Sequence, residues 1–214
     1  MFNDESVDLG YEKEWAYLEK LLKESGNDSM SGGKRGKYPF RSRYAHTRRV
    51  FTWLRRMLDD VGNVDVKAME VAVIFHDAGY ARGINHGHAA LSKEIFHEYS
   101  VENDFLPEKR ELIEYLIENH SNKELLTRGT KEELILLMEA DLMDEEGAMR
   151  IAWDNMAAGL EEATSFAESL ARTEKYFNPD YNPMITPLAR DLFKEKQEFV
   201  KEYIRRLKED LGEY

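Results

Sequence analysis

Residues 71–80 read VAVIFHDAGY. Asp65 upstream can cap a helix, and Gly79 and Gly83 can end one, so the stretch predicts a helix from Asp65 to about Asp77. On that helix His76 follows Met69, Ala72 and Val73 along one face, and Asp77 neighbours Val73 and Ile74. A buried carboxylate is costly unless it is paired, hydrogen-bonded or bound to a metal. An inward imidazole needs partners for both ring nitrogens. The run therefore predicts a core helix that turns two polar groups inward.

Outward from this run the chain reads as helix after helix. Tyr11–Glu24 places Trp15, Leu18, Leu21 and Leu22 at helical spacing, and Tyr44–Val61 does the same with His46, Val50, Trp53, Leu54 and Met57. A helix over about His88–Asn103 follows. Pro107 suits the first turn of a helix reaching His120, and Thr130-Lys-Glu-Glu133 reads as a capping box before a helix through Asp141. Later helices are predicted at about Glu145–Gly159, Glu162–Tyr176 and Pro187–Leu211. Ser25–Lys37, rich in Gly and Ser, reads as a loop, and Asn178–Pro183 as a rigid turn. No strand alternation is visible. The expected fold is all-α: a single helical domain over 1–214, with a core at about 44–144, a first helix beside it, and C-terminal helices 145–214 packed on it. Trp153, Met156, Phe166, Tyr176 and Phe177 are expected to pack on that core.

Composition narrows the chemistry. The 214 residues include no cysteine, so thiolate sites and disulfides are excluded and any metal sits among nitrogen and oxygen ligands. The N-terminal MFNDESVDLGYEKEW has neither a basic region nor an apolar run, and no stretch approaches the roughly 18 apolar residues of a membrane helix. A cytoplasmic location is the expectation. The net charge of −12 opposes a nucleic-acid polymer or an anionic membrane as partner. Charge is uneven, however. Between Asp28 and Asp59 there is no acidic residue, while Lys34, Arg35, Lys37, Arg41, Arg43, Arg48, Arg49, Arg55 and Arg56 all fall there. A basic strip on an acidic protein suits a small phosphorylated ligand, although such a strip is also what a solvated helix face looks like.

The histidines sort by helical arithmetic. His46, His76, His88 and His120 fall on or beside apolar faces, whereas His97 aligns with Lys93 and Glu94. Asp141 follows Leu134, Leu137 and Met138. Any one of these alone reads as a satisfied core residue. Together, four histidines and two aspartates turned inward could satisfy one another through a shared divalent cation, with Mn, Fe, Co, Ni or Zn suited to the mixed donors and Mg less so.

His46 in RYAHTRRV, His76-Asp77 in VAVIFHDAGY and Asp141 in MEADLMD occur in the order His…His-Asp…Asp. The chain in this respect resembles the HD superfamily of metal-dependent phosphohydrolases over about Tyr44–Asp144. The resemblance implies one ion held by His46, His76, Asp77 and Asp141. Members with two ions add two histidines, which His88 in HAALSKEIF and His120 in LIENHSN resemble, with Asp77 bridging; His86 is the alternative to His88. Many such members follow the His-Asp pair with Gly and Lys. Here Tyr80 follows Gly79, with Arg82 beyond, and the signatures of the cyclic dinucleotide and guanosine tetraphosphate branches are missing. The implied activity is hydrolysis of a small phosphate ester, a nucleotide foremost, with Asp77 as catalytic metal ligand and Arg48, Arg49, Arg82 and Lys123 binding the phosphate. Two alternatives stand beside it: a mixed-valence diiron oxygenase with the same ligands, and a non-catalytic nucleotide-sensing domain.

Overall fold

The computed structural model describes residues 10–29, 38–58, 61–82, 87–161 and 165–212, and these hold nine α-helices and no strand. The fold is all-α. The helices are α1 Glu12–Ser25, α2 Arg43–Met57, α3 Val66–Phe75, α4 His88–Glu102, α5 Arg110–Asn119, α6 Glu132–Asp144, α7 Ala148–Leu160, α8 Phe166–Tyr176 and α9 Pro187–Asp210. They fall in two compact units: 1–48 with 71–118, and 49–70 with 119–214.

In the first unit α1 begins with Glu12 and Glu14, ends with Lys23, and stops at Gly26, whose φ of 66° favours glycine. It buries Trp15, Leu18 and Leu22. Asp28 then caps α2, its carbonyl accepting from Arg43 N at 2.7 Å and its Oδ1 from Tyr44 N at 2.9 Å. The rest of the predicted Ser25–Lys37 loop, from residue 30, lies outside the described residues. Phe75 at the end of α3 meets Phe96 and Tyr99 of α4 at centroid distances of 5.3 Å each, and Tyr17 of α1 lies 4.7 Å from Tyr99. Tyr99 donates its hydroxyl to buried Glu14 at 2.7 Å, which satisfies a carboxylate that burial would otherwise penalise.

The helix capped by Asp65 does form, with Asp65 Oδ1 accepting from Ala68 N at 3.0 Å. It ends at Phe75, two residues earlier than the periodicity predicts. His76 N tightens to Val73 O, and His76 and Asp77 sit in a turn that leads into a 3-10 segment, Ala78–Ala81. Gly79 is the reason the turn can dock: a Cβ there would overlap the backbone carbonyl of His88 and come within 2.7 Å of Ser92 N. Gly79 N donates to the buried Ser92 hydroxyl at 2.8 Å, and Asn27 Nδ2 donates to Tyr80 O at 3.0 Å. The turn is thereby tied to α4 and to the end of α1.

In the second unit α6 buries every residue from Leu134 to Ala140. The capping box expected at Thr130–Glu133 does not form: Lys131 takes the cap position with no side-chain bond, and the Thr130 hydroxyl donates instead to Leu125 O. Glu133 Oε1 accepts from Asp65 N at 3.4 Å. A reciprocal box does occur at α8, between Ser165 and Glu168. In the first unit, Pro107 opens a short 3-10 turn, Pro107–Lys109, that runs into α5 rather than the helix itself. Fully buried Glu139 of α6 accepts from Thr186 N at 2.8 Å, from Thr186 Oγ1 at 2.6 Å and from Ile185 N, which anchors the start of α9. Asn178–Pro183 is ordered by its own Asn side chains, Asp180 N bonding Asn178 Oδ1 and Met184 N bonding Asn182 Oδ1 at 3.1 Å each. The expectation that the C-terminal aromatic and Met residues bury is corrected for three of them: Met156 is 50%, Phe166 76% and Tyr176 51% exposed. Helical spacing gives a residue's side of a helix, and only the neighbours decide whether that side is covered. No helix among the described residues is long and apolar enough to cross a membrane.

Candidate metal centre

Three elements of the first unit deliver side chains to one carboxylate. His46 lies on the first turn of α2, and His76 and Asp77 in the turn after α3. His88 opens α4 behind Gly87, whose φ of 90° again requires glycine-like freedom. His46, His76 and Asp77 are all buried. His46 Nε2 and His76 Nε2 each stand 3.7 Å from Asp77 Oδ2, and His88 Nε2 stands 3.5 Å from Asp77 Oδ1. Ligand atoms of His46, His76 and Asp77 all lie within 4.8 Å of one another.

The donor set fits a transition-metal ion on two counts. Atoms bound to one ion at about 2.1 Å are roughly 3.0 Å apart in an octahedron and 3.4 Å in a tetrahedron. The separations of 3.5–3.7 Å between the imidazole nitrogens and the Asp77 oxygens lie close to these values. The second count is tautomeric. His76 Nδ1 lies 2.6 Å from Val73 O. A carbonyl only accepts, so Nδ1 carries the hydrogen and the neutral ring presents the Nε2 lone pair towards Asp77.

Arg43 was missed as a site residue by sequence reasoning. It is buried and donates from Nη1 to Asp77 Oδ2 at 3.0 Å, and its guanidinium carbon lies 3.9 Å from the Tyr80 ring centroid. The signal was present: Arg43 precedes His46 by three residues and so shares its helix face. Tyr80 in turn stacks on His88 at 4.7 Å with an interplanar angle of 23°.

The remaining predicted residues divide as follows. In the second unit His120 is buried directly after α5, and Lys123 Nζ donates to His120 O at 3.2 Å and to Asp141 Oδ2 at 3.1 Å. Asp141 is half-buried, whereas Asp144, one turn further along α6, is buried. Arg49 holds Asp144 with a fork, Nε to Oδ1 at 2.7 Å and Nη2 to Oδ2 at 2.9 Å. Arg82 grips Glu98 of α4, and that hydrogen bond holds the Glu98 carboxyl below the ordinary carboxylate range. Arg48 is half-buried on α2. His97 is exposed and bonds Glu114 at 2.8 Å, in line with the face assigned to it. His86 lies outside the described residues.

An all-α fold with a His-Asp pair at the end of a buried helix and a further histidine at the start of another defines a class, helical proteins with an imidazole–carboxylate cluster able to hold a metal. Residues 43–146 match the family model of the HD domain, in agreement with the resemblance carried by His46, His76-Asp77 and Asp141. The fold is similar to that of YpgQ from Bacillus subtilis, with a TM-score of 0.64 and 18% identity over 92% of this chain and 94% of that one. A structure of YpgQ in complex with ADP gives 0.60 and 20%, over 92% and 96%. The Lin1889 protein of Listeria innocua gives 0.58 and 18%, over 91% and 97%. No curated protein matches the chain significantly.

Proposed function

We propose that this protein is a metal-dependent phosphohydrolase that hydrolyses a small phosphate ester, a nucleotide foremost. The observation that carries the reading is the buried group His46, His76 and Asp77, with its ligand atoms within 4.8 Å of one another and the His76 tautomer set by Val73 O. Support for a nucleotide comes from the similar protein YpgQ, which was crystallised with ADP, and from the basic residues around His46.

A divalent cation bound there supplies Lewis acidity, making a water acidic enough to attack at neutral pH and polarising the phosphoryl group. By resemblance to the family, Asp141 completes the first ligand set, and His88 and His120 join Asp77 in holding a second ion. Asp77 carries the central role, because the imidazoles of His46, His76 and His88 face its two oxygens. Imidazole and carboxylate donors favour Mn, Fe, Co, Ni or Zn over Mg. Arg48 is the residue we assign to the phosphate, with Lys123 joining it on leaving Asp141. Arg49 and Arg82 remain candidates that would first have to leave Asp144 and Glu98.

Elemental analysis of the purified chain, followed by a panel of nucleotides and phosphoesters with Mn, Fe, Co, Ni and Mg, tests the proposal. Metal-dependent phosphate release is the expected result. His76→Ala and Asp77→Ala should lose both metal and turnover. Retention of wild-type metal content by both variants would refute the site. Iron with oxygen uptake would turn the reading to a diiron oxygenase, and metal binding without turnover across the panel would turn it to a sensing domain.

A further inference from the structure

Four side chains of the first unit close a ring of contacts. Arg43 Nη1 bonds Asp77 Oδ2 at 3.0 Å. Asp77 Oδ1 faces His88 Nε2 at 3.5 Å. The His88 imidazole lies on the Tyr80 ring at 4.7 Å and 23°, and the Tyr80 ring returns to the Arg43 guanidinium at 3.9 Å. His88 is the first residue of α4 and follows a left-handed glycine, so no preceding helical turn restrains its side chain. The aromatic face beside it does. That face is itself fixed: Tyr80 N donates to Asp77 O at 3.2 Å, and Tyr80 O accepts from Asn27 Nδ2 at 3.0 Å.

We propose that Tyr80 is a positioning residue for His88, its ring setting the imidazole plane so that Nε2 points at Asp77 Oδ1, with Arg43 clamping the ring and the carboxylate together. The inference rests on the reading of His88 as a metal ligand. Stacking of a planar ring on a near-parallel imidazole blocks rotation about the His side-chain bonds, and a guanidinium over the opposite partner's ring adds a cation–π attraction. The contacts to His88 and Arg43 are made by the ring, which phenylalanine shares.

The test compares Tyr80→Leu, which removes the face, with Tyr80→Phe, which keeps it. Each is made alone and in a His88→Ala background. Co(II) titration of the metal-free protein, followed by visible absorption and calorimetry, measures the number of ions and their affinities. Tyr80→Phe should bind as wild type. Tyr80→Leu should weaken the ion held at His88 by about 10–100-fold and should have no further effect once His88 is alanine. A Tyr80→Leu change within twofold of wild type, or an equal loss in the His88→Ala background, overturns the proposal. A second readout separates this from the reading of the site. In the metal-free wild type and in Tyr80→Phe, the His88 ring-proton resonances should be shifted upfield by the Tyr80 ring current. If the wild type takes up no ion at His88, the ligand reading fails while an upfield His88 signal still upholds the positioning. If that signal is not upfield in the wild type, the stack is absent and the positioning fails, whether or not Tyr80→Leu folds.

Discussion

Arg49→Ala is the substitution whose consequence can be worked most directly. The guanidinium forks onto Asp144 with bonds of 2.7 and 2.9 Å, and the partners differ sharply in exposure, 37% for Arg49 against 3% for Asp144. Removing one member of a fully buried pair costs about 3–5 kcal/mol, because the other charge is stranded. A fully exposed pair contributes about 0–1 kcal/mol. With one partner at the surface, the other inside, and Lys196 still attracting Asp144, the loss should fall between these, at about 2 kcal/mol. That corresponds to about thirtyfold in the folding equilibrium and a fall in Tm of roughly 4–8 °C for a chain of this size. The reverse truncation should be milder. Asp144→Ala removes the buried charge and leaves an arginine that can turn to solvent, at about 1 kcal/mol, and the double variant should cost no more than Asp144→Ala alone. Urea unfolding of the metal-free protein measures all three, since bound metal would add its own stabilisation. Strictly additive losses, or an Arg49→Ala variant as stable as wild type, would refute the reasoning. In the latter case, a raised KM for a phosphoester would return Arg49 to the substrate.

Two further outcomes follow from the turn and from the aromatic cluster. Gly79→Ala should lower stability by more than about 2 kcal/mol and weaken metal binding together, because the new methyl would strike the backbone of α4's first turns; unchanged melting and metal content would show that the turn can shift freely. Burial, then the hydrogen bond to Glu14, raises the Tyr99 hydroxyl above its ordinary value near 10. A group whose folded pKa is raised contributes stability that is complete below the unfolded value and is lost as pH rises through the folded one. Wild type should therefore lose stability more steeply than Tyr99→Phe above about pH 10, and parallel pH profiles for the two in urea unfolding would contradict the assignment.

The sequence by itself determined the helices and the identity of the inward polar residues, because both depend on a period of 3.6 and on the composition of each helix face. Val71–Phe75 could only be a buried run, and His46, His76 and His120 are buried where their apolar neighbours placed them. Boundaries set by packing were not legible. The α3 helix stops before His76 because Gly79 docks on α4, a contact between segments far apart in the chain, and the cap at Thr130 was lost to bonds with Leu125 and Asp65. The choice of partner for each charge was likewise decided only by the tertiary structure. Arg43, Arg49 and Arg82 look alike as letters, yet the first reaches Asp77, the second forks onto Asp144, and the third closes on Glu98. A local pattern records which way a side chain leaves its own helix. Which carboxylate waits there is a property of the segment opposite.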